Sequence, residues 1–244
     1  ISDAWYGMNF NGPNDWSEVV ATGRLPIRTH DEGQRFVAKM QRYLTAPSGA
    51  WQRHSLQGSG GYSQIELITL ASYTRTWATI SAESATAQDT SIFTKNTTDK
   101  VSSAYREEIT EAFRAGTSWF TFFGHSSTQL WEIVTDPPDV MRNSPLLPVL
   151  WSFGCRTGNF SIGDAQTHTL SLAEQFVTGS EHGAIAHWGS SELSTIGAGG
   201  LLGGALHEVA FVDTVRVLGL VAQETKRRVA QIVGASSEGV KNLL

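Results

Sequence analysis

A histidine and the chain's single cysteine occupy equivalent places in the sequence, thirty residues apart (125 to 155). The apolar run Trp119–Phe123 leads into Gly124-His125-Ser126-Ser127, and the run Leu147–Phe153 leads into Gly154-Cys155-Arg156-Thr157-Gly158. If the two runs are neighbouring strands, imidazole and thiol share one rim of the sheet. That pairing suits nucleophilic catalysis. A thiolate attacks a carbonyl carbon, and an imidazole returns the proton to the leaving amine. The backbone N–H groups of Ser126 and Cys155 are then placed to hold the developing oxyanion. A lone cysteine is ordinarily a small buried hydrophobe. Its position directly after a buried strand, between Gly154 and Gly158, is what argues for chemistry instead.

Positioning such a pair requires a sheet covered on both faces. Neither run alternates polar with apolar, nor does Gly183–Trp188, as expected of strands buried in a parallel sheet. Ligands of open α/β sheets gather beyond the carboxyl ends of the strands. Helices are predicted between the strands. Thr29-His30-Asp31-Glu32 forms a capping box ahead of Phe36, Val37, Met40, Tyr43 and Leu44 at helical spacing. A helix runs from about Ser63 into the seventies, after a turn at Gly58–Gly61. Another covers 101–115 with Val101, Tyr105, Ile109 and Phe113 on one face, and Gly116 as its stop. A further helix follows the capping box Ser171-Leu172-Ala173-Glu174, and a last one covers roughly 215–233. Short strands are read at Glu18–Thr22 and Ser91–Thr94, and Gly197–Gly204 (GAGGLLGG) as a mobile loop or hinge. The alternation predicts an α/β sandwich.

Composition narrows the function classes. The 244 residues are 40% hydrophobic and 17% charged, which excludes a disordered chain. One cysteine excludes an internal disulfide framework and a cysteine-rich zinc site. A net charge of −5 argues against a nucleic-acid phosphate track. No apolar run approaches the length of a membrane span. The histidines lack metal-ligand spacing: His182 and His187 are separated by the glycine and strand pattern between them, and His30, His54, His168 and His207 stand apart. No metal site is read, and the eight Trp suit packing better than a sugar platform. With Ile1 first and no leader pattern, the chain is expected to be a mature piece or a fragment of something longer.

Several segments together resemble the gingipain-type cysteine peptidases, a family that includes the sortases of the type IX secretion system. Asn143-Ser144-x-x-Leu147-Pro148 followed by Cys155-x-x-Gly158-x-Phe160 is similar to that family's nucleophile region. Gly124-His125 with Trp131 resembles its histidine loop, and Gly23-Arg24-Leu25-Pro26-Ile27-Arg28-Thr29 a segment that precedes a helix. Ser171–Glu174 and Gly183–Ala186 match the helix and strand that follow.

The resemblance implies a caspase-like three-layer α/β sandwich with a mainly parallel central sheet. Residues 1–47 would be the tail of a first α/β subdomain whose earlier part is missing, and 48–244 the caspase-like catalytic subdomain. It implies Cys155 as nucleophile and His125 as general acid/base, with the Ser126 and Cys155 N–H groups as oxyanion hole. Trp131, Trp188 and Ser190 are expected beside the substrate. The substrate would be a protein or peptide, cleaved by water or transferred to an amine through a thioester. No cofactor is required; structural calcium bracing the loops stays open and is not predicted. An extracellular or cell-envelope location, associated with the outer membrane, also follows from resemblance alone. The acid that supports the histidine in the family should fall near Gly58–Gly61, where no carboxylate stands; Glu66 lies a few residues on and is not assigned. Two rival readings remain. One is a non-catalytic binding or structural module on the same fold. The other is a serine hydrolase using Ser126, since Gly124–Thr128 nearly spells a nucleophile elbow.

Overall fold

A computed structural model describes residues 6–8, 18–161 and 169–233; His168 lies outside them. Five strands form one all-parallel sheet: β1 (His54–Ser59), β2 (Asp89–Thr94), β3 (Trp119–Phe123), β4 (Val149–Phe153) and β5 (Ala186–Gly189), in the order β2-β1-β3-β4-β5. The helices are α1 (His30–Leu44), α2 (Gln64–Glu83), α3 (Arg106–Ala115), the single turn α4 (Pro138–Met141), α5 (Leu172–Val177), α6 (Ile196–His207) and α7 (Leu218–Val233).

The central strands explain their own composition. Along β3, Phe120 and Phe122 face one core with Leu56, Ile109, Phe113, Leu150, Leu172 and Phe176. Trp119 and Phe123 face the other, with Leu70, Trp77, Trp151, Phe153, Leu202 and Leu206. Successive side chains alternate faces, and both faces are covered, so apolar residues stand on both, with Thr121 the one polar position, its hydroxyl accepting from Trp119 Nε1–H. Helices α3 and α5 cover one side and α2, α6 and α7 the other, giving the expected three layers.

Helix α1 starts at the predicted capping box, with Thr29 and Glu32 reciprocally bonded. It is fastened to the end of α5 by Lys39, which is fully buried and donates to the carbonyls of Phe176, Val177, Ser180 and His182 at 2.7–3.2 Å. Burial pushes the Lys39 ammonium down to about 7. Arg28 adds a 2.5 Å ion pair to the buried Glu174.

Three expectations are corrected. The strand read at Glu18–Thr22 reduces to one antiparallel bridge between Met8 and Glu18. Gly58 and Ser59 belong to β1, so the turn begins only at Gly60. The glycine run 197–204 lies within α6. Aromatic rings dictate two of its glycines: a Cβ on Gly203 would meet Trp77 Cη2 at 2.3 Å, and one on Gly199 would meet Phe123 Cε2 at 2.6 Å. Small residues let α6 approach α2 and the sheet closely, and that packing outweighs glycine's low helix propensity. Gly203→Val is expected to lower stability by about 3 kcal/mol through overpacking, measured by urea unfolding.

Candidate active site

Strands β3 and β4 are paired with Phe123 opposite Phe153. His125 and Cys155 therefore each stand two residues past the end of their strand, side by side on the carboxyl rim. Both line one small cleft with Phe123, Gly124, Phe153, Gly154, Ser194, Thr195 and Ile196.

The imidazole is held on two sides. Its Nε2 lies 3.2 Å from Glu66 Oε2, and its ring stacks on Tyr62 with centroids 4.0 Å apart and planes 10° from parallel. Glu66 comes from the first turn of α2, where Ser63 caps the helix by accepting from the Glu66 N–H. The Tyr62 N–H donates to Glu66 Oε2 at 2.6 Å. That bond, with a smaller contribution from His125, holds the Glu66 carboxyl below the usual range. Glu66 is thus ionised at neutral pH, and its interaction with His125 is lost only as pH falls through that lowered value.

Sequence reasoning left Glu66 unassigned. The available signal was Ser63-x-x-Glu66, the start of a helix launched from the carboxyl end of β1. Strand β1 neighbours β3, so that helix start faces the histidine loop.

The thiol of Cys155 is half-buried, at 3.5 Å from the Ser194 carbonyl and 3.4 Å from the Ser194 N–H. The chain then turns sharply, with Arg156 in the left-handed region (φ 58°). Its N–H donates to the Glu192 carbonyl, and the Gly158 N–H to that of Ser190. Ser126 ties together the loops after β3 and β4, its Oγ donating to the Cys155 carbonyl at 2.7 Å. Gly154 leaves room for this contact, since a Cβ there would lie 2.4 Å from Ser126 Oγ.

The hydroxyl of Ser126 is occupied by that carbonyl. The chain after it folds back, with Ser126 bridged to Trp131, instead of entering a helix. The nucleophile-elbow reading is corrected on both counts. The bonds on either side of the bridge, Ser127 N–H to Leu130 and Glu132 N–H to His125, make Ser126 and Trp131 a non-bonded pair whose own N–H groups point away from each other. The Ser126 N–H therefore faces out of this ribbon.

The residues expected beside substrate separate. Trp131 is 1% exposed, packs edge-on against Phe120 and donates Nε1–H to Ser152 Oγ at 2.8 Å. It is a core residue, which corrects the expectation that it contacts substrate. Trp188 is half-buried against Trp151, and the Ser190 hydroxyl donates to the Glu192 carbonyl. Neither borders the cleft, whose outer wall is Ser194–Ile196, a segment with no sequence signal.

Among the described residues, no three His, Cys, Asp or Glu side chains converge as metal ligands. His182 Nδ1 accepts from the Ser144 N–H, and burial pushes His187 down to about 3. No described helix is long and apolar enough to cross a membrane.

Residues 1–243 match the sequence profile of Peptidase family C25. The crystal structure of the Arg-specific cysteine proteinase gingipain R shares 17% identity and a TM-score of 0.71, over 99% of this chain and 56% of that one. A complex of the Porphyromonas gingivalis RgpB pro- and mature domains gives 17% identity and a TM-score of 0.73, over 99% of this chain and 57% of that one. A structure described only as a protease gives 14% and 0.70, over 96% and 54%. The chain spans somewhat more than half the length of these solved proteins, and the likeness establishes a shared fold. No curated protein is significantly similar to it.

With its hydroxyl turned toward the Cys155 carbonyl, Ser126 is expected to remain unmodified by a fluorophosphonate. Intact-mass measurement checks this, and an adduct at Ser126 would contradict the geometry.

Proposed function

The chain belongs to Peptidase family C25, and from that premise we propose that it cleaves peptide bonds with Cys155 as nucleophile and His125 as general acid/base. The observation that carries this reading is the shared cleft. Parallel pairing of β3 and β4 sets the only thiol of the chain and a carboxylate-supported imidazole at equal height on one rim.

His125 takes the proton of Cys155, and the thiolate attacks the scissile carbonyl carbon. As the C–S bond forms, the carbonyl electron pair moves to oxygen, where the Ser126 and Cys155 N–H groups stabilise it. Collapse breaks the C–N bond, and the imidazolium protonates the departing amine. The thioester is resolved by water, which His125 deprotonates. A peptide amine in water's place gives transfer through the same intermediate. Glu66 orients the imidazole and offsets the charge it carries during both half-reactions.

The substrate class is a protein or peptide. Among the described residues that line the cleft none is a carboxylate, and selectivity for basic residues is not part of the reading. Family likeness supports a location outside the cytoplasm, in or beyond the cell envelope.

Incubation with a peptide library, followed by mass spectrometry, tests the proposal. Cleavage is expected for the unaltered protein and none for Cys155→Ala. His125→Ala is expected to lose about 10²–10⁴-fold, the usual worth of a general acid–base. Glu66→Gln should cost less, and the difference from the unaltered protein should fade as pH falls below the ordinary carboxylate range. Cleavage that survives Cys155→Ala would overturn the assignment.

A further inference from the structure

Beneath the histidine loop lies an ion pair whose two residues do not themselves line the cleft. Glu132 and Lys95 are 1% and 3% exposed, and Nζ lies 2.5 Å from Oε2. A buried pair of this kind is weak as a source of stability, because desolvating two charges offsets most of their attraction. Its surroundings indicate another use.

Glu132 Oε1 accepts the N–H of His125 at 2.6 Å and the N–H of Gly61 at 2.9 Å. Lys95 directly follows β2 and donates its own N–H to the Ser59 carbonyl at the end of β1. One carboxylate therefore joins the loops that leave three adjoining strands. The backbone is cut to admit it: a Cβ on Gly60 would lie 1.8 Å from Oε1, and one on Gly124 would lie 2.5 Å from it. The Lys95 ammonium also sits 4.9 Å from the centroid of the Tyr62 ring, the ring that stacks on His125. Burial, together with Glu132, Cys155 and Glu66, pushes the Tyr62 hydroxyl up, so the ring stays neutral beside the cation.

We propose that the Glu132–Lys95 pair is the positioning clamp of this site, fixing the His125 backbone from below while Lys95 and Tyr62 fix the plane of its ring. The proposal rests on the dyad reading above. Glu132 and Lys95 touch no reacting atom and act through His125. The ionisable groups around that imidazole are Glu66 from α2, Tyr62 from the loop after β1, Lys95 after β2, Glu132 after the histidine turn and Cys155 after β4. Neutralising one member of the pair leaves its partner's charge uncompensated next to the dyad.

The test is the pH dependence of Cys155 alkylation by iodoacetamide, with thermal unfolding followed in parallel. Glu132→Ala removes the acceptor for both N–H groups and is expected to slow alkylation about 10- to 100-fold, the effect of a misplaced catalytic group. Glu132→Gln keeps an acceptor oxygen and is expected to recover most of that rate. It leaves Lys95 unpaired, so its rate–pH profile should move toward acid. Adding Lys95→Met should return the profile to its original position.

If Glu132→Ala does not fold, Glu132→Gln and the double variant decide by the profile alone. A lower melting temperature with rate and profile unchanged in Glu132→Gln and the double variant would show a purely structural pair and overturn the clamp. Alkylation that is indifferent to His125→Ala would instead overturn the dyad reading, and the role of the clamp with it.

Discussion

The site depends on one register. Pairing β3 with β4 so that Phe123 opposes Phe153 brings two strand ends to the same height, and His125 and Cys155 each stand two residues beyond. That register is fixed by burial on both faces. A one-residue slip would exchange Phe120 and Phe122 with Trp119, Thr121 and Phe123 between two differently shaped cores. The aromatic packing of Trp77, Phe123, Phe153, Trp151 and Trp119 on one face, and of Phe113, Phe120, Trp131 and Phe176 on the other, is therefore also what aligns the rim.

Polar contacts above the cores convert that alignment into a defined arrangement of side chains. The Ser126 hydroxyl on the Cys155 carbonyl joins the loops after β3 and β4, while Glu132 joins the loops after β1 and β3. Both links run through glycines that leave no space for a side chain, Gly154 in the first case and Gly60 in the second. Glycine at these positions is thus a requirement of close approach. The imidazole receives its orientation from outside the sheet plane, by Glu66 at one edge and Tyr62 across one face.

Much of this was legible in the residues themselves. Apolar runs ending in Gly-His and Gly-Cys mark strands buried on two faces with an imidazole and a thiol just beyond their ends, and the capping boxes at Thr29 and Ser171 locate two helix starts. What escaped reading depends on contacts distant in sequence. Glu66 and His125 are brought together only because β1 lies next to β3. Trp131 follows the histidine closely enough to suggest a substrate contact, yet the fold-back after Ser126 turns its ring into the core. The glycine-rich stretch of α6 read as a loop because glycine is a poor helix former; the rings of Phe123, Tyr73 and Trp77 account for Gly199, Gly200 and Gly203.

The most direct examination of the central claim is the structure of the protein after treatment with a peptidyl chloromethyl ketone. The account predicts a thioether at Cys155 Sγ, the inhibitor's oxygen within hydrogen-bond distance of the Ser126 and Cys155 N–H groups, and His125 still against Glu66. An adduct on another residue, or a peptide lying away from the β3–β4 rim, would contradict it.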